Sequence, residues 1–331
     1  MAMNRVFSLV AGFTMMALAV GGVLAQGSES LNDELRGEVK AAIDRGLGYL
    51  RWSQAEDGSW GANLGLTAMA LQAFTDSHRG YIEADGPFIR RPLAYLRQSQ
   101  SEIGAFVPGD TSRLLDAAMI RFALGLFEDP AGASPEVDKA YLRMGLVSQD
   151  QFKESPDVFE LVALLLAEGL DGELDPYVRE LSVLALARLQ NPSNDWGFVR
   201  TLDSGEVSAD ATAMGLFALL LSGVSESDVR VQRAIAWLGS RYALTRKDAI
   251  ESAGFYRYGF ALANAFHLLG RTSLDDDQGN AHYWRNDLSR ILADSQEYDG
   301  RWTGQGEEAE ADLASTFATL APELIYNNPI R

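Results

Sequence analysis

The chain has 331 residues, of which 47% are hydrophobic and 22% charged, a composition that supplies a folded core and does not indicate disorder. Its formal net charge of -18 would repel phosphate backbones and anionic lipid headgroups, which excludes nucleic acid as an expected partner. Because the chain has no cysteine, disulfides, a lipoprotein anchor and cysteine-ligated metals are also excluded.

The N-terminal residues have the pattern of an export signal. Arg5 supplies a positive charge, residues 6–20 form an apolar stretch, and residues 23–25 resemble a small-residue cleavage site. We therefore predict a signal peptide over residues 1–25, cleaved after Ala25, and a secreted or periplasmic protein. In the alternative, the leader stays uncleaved and residues 6–24 anchor the chain, which would be its one contact with a membrane.

A seven-residue pattern recurs along the chain, beginning with glutamine and ending with an aromatic residue. Four copies are evident, and their first and last residues are Gln54 and Trp60, Gln100 and Phe106, Gln190 and Trp196, and Gln296 and Trp302. The two later gaps between copies are about twice as long as the first, which leaves room for degraded copies near residues 149–155 and 254–256. The sequence thus predicts about six repeats.

Each copy lies between two helices of different character. The preceding helices are amphipathic, at residues 39–53, 176–190 and 229–242. The following helices are apolar nearly all round, at residues 64–75, 209–222 and 313–324. Helices with one polar face belong outside and uniformly apolar helices belong in a buried inner layer. We therefore predict an all-α fold, an (α/α)6 toroid of about six helix hairpins, as a single domain over residues 31–331.

The chemistry of the motif indicates a structural role. A glutamine at the end of an outer helix is placed to hydrogen-bond free backbone groups at the start of the next helix, with an aromatic ring packed over it. The glycine between them, such as Gly58, permits the turn. We predict structural roles for the residues of three copies: Gln54, Trp60, Gln190, Trp196, Gln296 and Trp302.

These repeats resemble the QW motifs of the squalene/hopene cyclase and prenyltransferase superfamily, and the resemblance covers nearly all of the mature chain. The stretch Phe255–Gly259 and Trp284 also resemble secreted bacterial proteins with such repeats. Class II cyclases of this superfamily protonate an alkene from an Asp-x-Asp-Asp-Thr-Ala motif, and residues 208–213 align with it. The resemblance implies Asp210 as the catalytic acid, although both flanking acids are replaced and the chain has length for only one helical domain.

Prenyltransferases of the same superfamily use zinc, and that site does not fit this chain. With no cysteine and only His78, His267 and His282, the usual ligand set is missing, so we predict no metal and no cofactor. His267 falls inside an apolar helix and is expected to line the core or a cavity. The acidic run at residues 275–277 is flanked by loop-forming residues and is expected to be a solvated loop.

A third interpretation follows from the acids at predicted inner-helix starts. Glycan hydrolases and lyases on (α/α)6 rings need two carboxylates across a cleft. The candidate acids are Asp116, Glu160, Asp210 and Asp312. The candidates for stacking on a sugar or hydrogen-bonding it are Tyr256, Arg257 and Tyr258.

Three functions are therefore consistent with the sequence. The first is an exported toroid that binds a hydrophobic or polymeric ligand, or a protein partner. The second is a terpenoid-cyclase-like isomerase acting on an isoprenoid, which requires Asp210 to point into an aromatic-lined pocket. The third is a carbohydrate-active hydrolase or lyase, which requires facing carboxylates in an open cleft.

Overall fold

A computed structural model describes residues 31–103, 114–127, 157–169, 174–245 and 247–328. The described ranges contain eleven α-helices: α1 (Asp33–Ser53), α2 (Leu64–Asp76), α3 (Pro87–Ile103), α4 (Leu114–Phe127), α5 (Val158–Gly169), α6 (Pro176–Leu189), α7 (Ala209–Leu221), α8 (Val229–Ser240), α9 (Phe255–Leu269), α10 (Trp284–Ser295) and α11 (Ala311–Asn327). Two small antiparallel hairpins pair β1 (Gln190–Asn191) with β2 (Gly197–Phe198) and β3 (Leu274–Asp275) with β4 (Ala281–His282). The predicted leader lies outside the described residues.

Six helices form a closed inner ring. Helices α2, α4, α5, α7, α9 and α11 each pack against the next in that order, and α11 packs back against α2. Helices α1, α3, α6, α8 and α10 pack on the outside of this ring. The predicted all-α toroid is therefore confirmed. Among the described helices, none is both long and apolar enough to cross a membrane.

The burial pattern explains the two layers. In α1, the buried side chains recur every three to four residues, from Val39 through Ile43 to Leu50, and its other face is solvated. In α7, every residue from Asp210 to Leu219 is buried, as expected for a helix enclosed on all sides. A polar side chain caps the N-terminus of each helix. The Asn32 side chain accepts a hydrogen bond from the Leu35 amide in α1, and the Ser208 side chain accepts one from a backbone amide in the first turn of α7.

Aromatic rings fill one side of the ring's interior. Phe260 on α9 lies 6.5 Å from Phe217 on α7 and 5.4 Å from Phe317 on α11, measured between ring centroids. All three side chains are buried. The inner helices are thus held together by a packed apolar core.

The inner helices all start at the same end of the ring. The amide of Val158, which begins α5, donates to the carbonyl of Arg200 in the loop before α7. The amide of Arg257 in the first turn of α9 donates to Glu308, just before α11. We call this end, formed by the first turns of the inner helices and the loops before them, the mouth; the opposite end is the far end.

The repeat glutamines join neighbouring outer helices. Gln54 donates from Nε2 to the carbonyl of Phe88 in α3 at 3.0 Å, and Gln190 donates to the carbonyl of Arg230 in α8 at 2.9 Å. Gln296 donates to the carbonyl of Ala42, in the middle of α1, and so closes the ring. The acceptors are carbonyl oxygens, in contrast to the free helix-start groups expected from the sequence.

Two tryptophans of the motif are buried in equivalent sites. Trp60 and Trp302 donate from Nε1 to the carbonyls of Leu50 and Leu292, at 2.8 and 2.9 Å. Their backbone amides donate to hydroxyls on the following inner helix, Thr67 for Trp60 and Ser315 for Trp302. Each tryptophan therefore connects two helices: its indole binds the end of one outer helix, and its backbone amide binds the next inner helix.

The third copy departs from the predicted register. In this copy, the backbone amide that donates a hydrogen bond to the inner helix belongs to Phe198, and its acceptor is Thr212 Oγ1 at 3.0 Å. The Phe198 side chain is fully buried. Trp196 is only half-buried, and its φ of 68° matches the left-handed turn that Gly58 and Gly300 occupy in the other copies. The prediction that Trp196 is the equivalent of Trp60 is therefore wrong. The 3-10 turn Pro192–Asn194 lengthens this copy.

Of the three remaining copies, two are described only in part or not at all. The copy at residues 100–106 runs into the segment 104–113, and that near residues 149–155 falls within 128–156, both outside the described residues. Near residue 254, the chain forms the start of α9. There Gly254 has a φ of 78° and Phe255 and Tyr256 are buried, which preserves the glycine turn and aromatic packing without the glutamine.

Candidate functional site

The mouth carries a group of interacting acidic and basic side chains, which we call the mouth cluster. Its members come from the starts of α5, α7 and α9, from the loop before α7 and from the 3-10 turn Gly306–Ala309 before α11. They are Asp157, Glu160, Arg200, Asp210, Arg257, Glu307 and Glu308. No sequence pattern places them together, because they lie on four different repeats of the ring.

Arg200 links α5 to the loop before α11. Its Nε atom lies 3.0 Å from Asp157 Oδ2, and its Nη1 atom lies 2.9 Å from Glu307 Oε1. Asp157 is itself held by the amide of Phe159, which donates to its other oxygen at 2.7 Å. The guanidinium lies over the Phe159 ring, 4.8 Å from its centroid. These contacts fix Arg200 at the edge of the mouth.

Arg257 is the second cation of the mouth cluster. Its guanidinium contacts Asp210 Oδ2 at 3.3 Å and forms a hydrogen bond to Glu307 Oε2. It also lies 5.0 Å from the centroid of the Phe159 ring, so both arginines border the same aromatic face. Glu307 bridges the two guanidiniums with its two oxygens.

Glu308 has a structural role at the start of α9. Its carboxylate accepts hydrogen bonds from the amides of Tyr256 and Arg257, at 3.1 and 2.8 Å. Gly254, the N-cap of α9, has no side chain for this purpose, so Glu308 caps the helix from another repeat. The side chain is fully buried, and this burial raises the pKa of Glu308.

Asp210 is held in place by three groups. Ser208 Oγ and the amide of Ala211 donate to its Oδ1 atom at 2.5 and 2.9 Å, and Arg257 pairs with Oδ2. A Cβ atom on Gly254 would lie 2.4 Å from Asp210 Oδ2, so a glycine is required there for both packing and its positive φ. Asp210 is thus an ion-paired acid with little exposure.

Two carboxyl groups beside Arg200 have pKa values shifted in opposite directions. Burial, reinforced by the charge of Asp157, raises the pKa of Glu160 in the first turn of α5. Burial also acts on Glu307, but hydrogen bonds from Arg257 and Arg200 outweigh it and hold the pKa of Glu307 below its usual value. Acid–base catalysis by two carboxyls uses environments that push their pKa values apart in this way.

Of the other residues predicted at the site, two occupy buried positions. Tyr256 is buried, and its hydroxyl donates to the carbonyl of Thr303. Tyr258 is also buried and packs against Phe255, with ring centroids 6.5 Å apart. Burial raises the pKa of both tyrosine hydroxyls, that of Tyr256 to about 12.

The remaining predicted residues are spread around the ring. His267 lies in the last turn of α9, at the far end, where burial and the nearby Arg285 lower its pKa. Asp312 is in the first turn of α11, within hydrogen-bonding reach of Tyr49. Asp116 lines a polar cavity of about 610 Å³ at the mouth, together with Asn63 and residues of α3. The structure therefore brings three of the predicted residues, Glu160, Asp210 and Arg257, into the mouth cluster and places the others outside it.

Four members of the mouth cluster were not predicted from the sequence: Asp157, Arg200, Glu307 and Glu308. The acidic pair Glu307 and Glu308 follows the last motif copy by a few residues, which was the one signal that pointed to this loop. Within the described ranges, no three histidine, aspartate or glutamate side chains are grouped so as to hold a metal ion. The acidic run at residues 275–277 lies in the hairpin of β3 and β4.

The sequence matches no protein-family model and no curated protein. Similar solved structures include a glutamate-to-alanine variant of a glycosidase in complex with glucose, 14% identical over 89% of this chain and 99% of its own, with a TM-score of 0.51. A protein from Actinoplanes is 17% identical over 88% and 100% of the two chains, with a TM-score of 0.48. A second glutamate-to-alanine glycosidase variant is 14% identical over 89% and 99%, with a TM-score of 0.45. At 14% identity, the first of these likenesses establishes a shared helical fold and leaves the activity to be argued from the site.

Proposed function

We propose that the protein is a glycoside hydrolase whose reaction takes place at the mouth cluster. The observation that carries the proposal is the grouping of two carboxyls around Arg200: its Nη1 atom lies 2.9 Å from the exposed carboxylate of Glu307, and its charge also acts on the half-buried Glu160 of α5. The opposite directions of their pKa shifts support the same assignment. Hydrolysis of a glycosidic bond needs a protonated carboxyl to donate to the leaving oxygen and a carboxylate to activate water or to attack the sugar. A glycosidase in complex with glucose shares the fold, which is consistent with this chemistry.

In this proposal, Glu160 is the general acid and Glu307 is the base or nucleophile. Glu160 is half-buried and Glu307 is 54% exposed, so both are open to a substrate that enters the mouth. Arg200 and Arg257 are positioning residues, since they lower the pKa of Glu307 and fix its direction. Asp157 holds Arg200 in place. Asp210 holds Arg257 in turn, which gives this residue a supporting role.

The experiment uses the purified mature protein, with neutral polysaccharides and aryl glycosides as substrates. Wild type should release reducing sugar, and Glu160→Gln should lower kcat by about 100-fold or more on natural leaving groups. The loss should be much smaller on dinitrophenyl glycosides, because that leaving group departs without protonation. Glu307→Gln should be inactive on both kinds of substrate. Loss of the same size for Glu160→Gln on both would contradict its role as the acid.

A matched control is available at the far end. Glu226 is 45% exposed and pairs with Arg271 at 2.7 Å, so Glu226→Gln also removes a charge from an exposed ion pair. This variant should keep full activity. If it loses as much activity as Glu307→Gln, the effect comes from loss of net charge or stability, and the assignment of Glu307 fails.

The geometry favours hydrolysis over the terpenoid-cyclase reaction. An acid that protonates an alkene must present its carboxyl to the substrate, whereas both carboxyl oxygens of Asp210 are engaged within the protein, Oδ1 by Ser208 and the Ala211 amide and Oδ2 by Arg257. A toroid that only binds a hydrophobic or polymeric ligand, or a protein, is the alternative that follows if wild type hydrolyses none of the substrates.

We further propose that the chain is a distant relative of the squalene-cyclase toroids and is exported after cleavage of residues 1–25. The support for the relationship is the repeated bond from Gln54, Gln190 and Gln296 to the next outer helix. N-terminal sequencing of the protein secreted by its host tests the export step, and a new N-terminus at residue 26 is expected.

A further inference from the structure

Two aromatic side chains at the edge of the mouth are almost uncovered. Trp52, in the last turn of α1, is 81% exposed, and Tyr298, in the loop between α10 and α11, is fully exposed. We call this pair the rim platform. Tryptophan and tyrosine combine a large apolar ring with a polar group, and both are enriched at binding surfaces.

Both residues lie along one seam of the ring, where α1 meets the loop before α11. Arg45 donates to Gln296 Oε1 at 2.8 Å, and Gln296 donates to the carbonyl of Gly300 at 2.8 Å. A Cβ atom on Gly300 would lie 2.4 Å from the carbonyl oxygen of Arg45, which shows how closely the loop approaches the helix. The rim platform is therefore carried on two tightly joined segments.

Polar groups border the exposed rings. The Tyr49 ring lies 6.3 Å from the Trp52 ring, and burial together with the charge of nearby Asp312 raises the pKa of Tyr49 to about 12. Beside Tyr298, Arg301 pairs with Glu297 at 2.9 Å and with Asp299 at 3.6 Å. Aromatic faces with hydrogen-bonding groups at their edges match a pyranose ring, which has apolar C–H faces and hydroxyls around its rim.

The same loop connects the rim platform to the mouth cluster. It carries Tyr298 at one end and Glu307 at the other, and it is fixed between them by the bond from Tyr256 to the carbonyl of Thr303. The net charge of -18 disfavours an acidic glycan or an anionic lipid surface as the occupant. A neutral chain long enough to extend from the mouth over this loop fits both observations.

We propose that Trp52 and Tyr298 bind a neutral polysaccharide chain by stacking, beside the reaction site. The inference rests on the proposed function for its substrate class and deepens it, because it makes the substrate a polymer. Sugar units outside the reaction site then contribute binding through the rim platform. A short oligosaccharide lacks this contribution.

Affinity electrophoresis tests the proposal, with glycogen, a soluble β-glucan and xylan as probes in the gel. At least one probe should retard wild type, and the double variant Trp52→Ala/Tyr298→Ala should bind it about tenfold more weakly. Tyr177→Ala is the matched control, because Tyr177 is an exposed aromatic at the start of α6, at the far end, and should bind as wild type does.

The outcomes separate this inference from the proposed hydrolysis. Retardation that depends on the rim platform, without hydrolysis by wild type, supports the binding site and contradicts the enzyme. Hydrolysis with unchanged retardation of the double variant overturns the binding site alone. Absence of retardation by every probe, or a wild-type dimer that the double variant converts to a monomer in sedimentation, also overturns it, since the pair then serves another purpose.

Discussion

Arg200 donates a hydrogen bond of 2.9 Å from Nη1 to Oε1 of Glu307, across 107 residues of sequence. The bond joins the loop before α7 to the turn before α11, on the far side of α9 in the ring. It is one of the contacts that lower the pKa of Glu307, whereas burial raises the pKa of Glu160 in the first turn of α5. The relationship makes the pH dependence of activity predictable.

Activity should follow a bell-shaped pH profile with an acidic optimum. The acid limb reports protonation of Glu307, whose pKa is below its usual value, and the basic limb reports ionisation of Glu160, whose pKa is raised. Arg200→Met removes a positive charge that lowers both pKa values, so both limbs should move to higher pH. Arg200→Lys keeps the charge and should move them less. A shift of either limb to lower pH in Arg200→Met would contradict the assignment.

The seam between α1 and α11 depends on a glycine. A Cβ atom on Gly46 would lie 2.5 Å from Thr319 Oγ1 and 2.7 Å from Trp302 Cζ3, so Gly46→Ala should cost about 1–3 kcal/mol of unfolding free energy. Gly48→Ala is the control two residues along, where a Cβ atom would meet nothing within 4 Å. Gly48→Ala should raise the free energy of unfolding by about 0.5–1 kcal/mol, because alanine favours the helix more than glycine does. Urea denaturation of both variants gives the comparison, and equal effects would contradict this packing.

The shifted register of the third repeat can be tested by stability. Phe198→Ala should cost about 3–5 kcal/mol, because the fully buried ring fills the place of Trp60 and Trp302. Trp196→Gly should cost less than about 1 kcal/mol, because glycine relieves the strain of its φ of 68°. The reverse order of these two losses in thermal or urea denaturation would restore Trp196 as the motif residue.

A buried acid at the far end makes stability depend on pH. Glu323 on α11 is 1% exposed, and neither carboxylate oxygen has a partner among the described residues. Burial and the nearby Asp76 raise its pKa well above 4.5, so the folded state binds more protons than the unfolded state above that pH. This contribution to stability is present at lower pH and is lost as pH rises through the folded pKa.

Glu323→Gln should remove that loss, since glutamine cannot ionise. The variant should be more stable than wild type at pH 8, by about 1 kcal/mol or more, and the difference should shrink towards pH 4. Denaturation of both proteins across this range measures it. A difference that does not change with pH would show that the pKa of Glu323 is the same in the folded and unfolded states, and would contradict the burial of an unpartnered acid.

The helical layers were predictable because they depend on local composition. The amphipathic pattern of α1 and the uniformly apolar α7 identify outer and inner helices within single windows of sequence. The register of the third motif copy was not predictable, because Trp196 keeps the spacing while Phe198 keeps the contact. The two residues are distinguished by features of the folded chain: the backbone bond from Phe198 to Thr212, the full burial of Phe198 and the positive φ of Trp196.

The mouth cluster depends on closure of the ring. Arg200 and Glu307 are surface-type residues in two loops, and nothing near either of them in the sequence marks it as a partner of the other. Asp210 was found from a family motif, yet its role in the structure comes from Arg257, two helices later. Such contacts appear only once the order of packing around the ring is known.

Hydrolysis of glycosidic bonds at the mouth cluster, as proposed above, adds one oxygen from water to each new chain end. Mass spectrometry of the products from a neutral polysaccharide, incubated with the protein in ¹⁸O-labelled water, detects this oxygen. We expect shortened chains with one labelled oxygen at each new reducing end from wild type and Glu226→Gln, and about 100-fold fewer from Glu160→Gln. Unlabelled, unsaturated chain ends would show elimination in place of hydrolysis, and an unchanged polysaccharide with wild type would contradict the proposal.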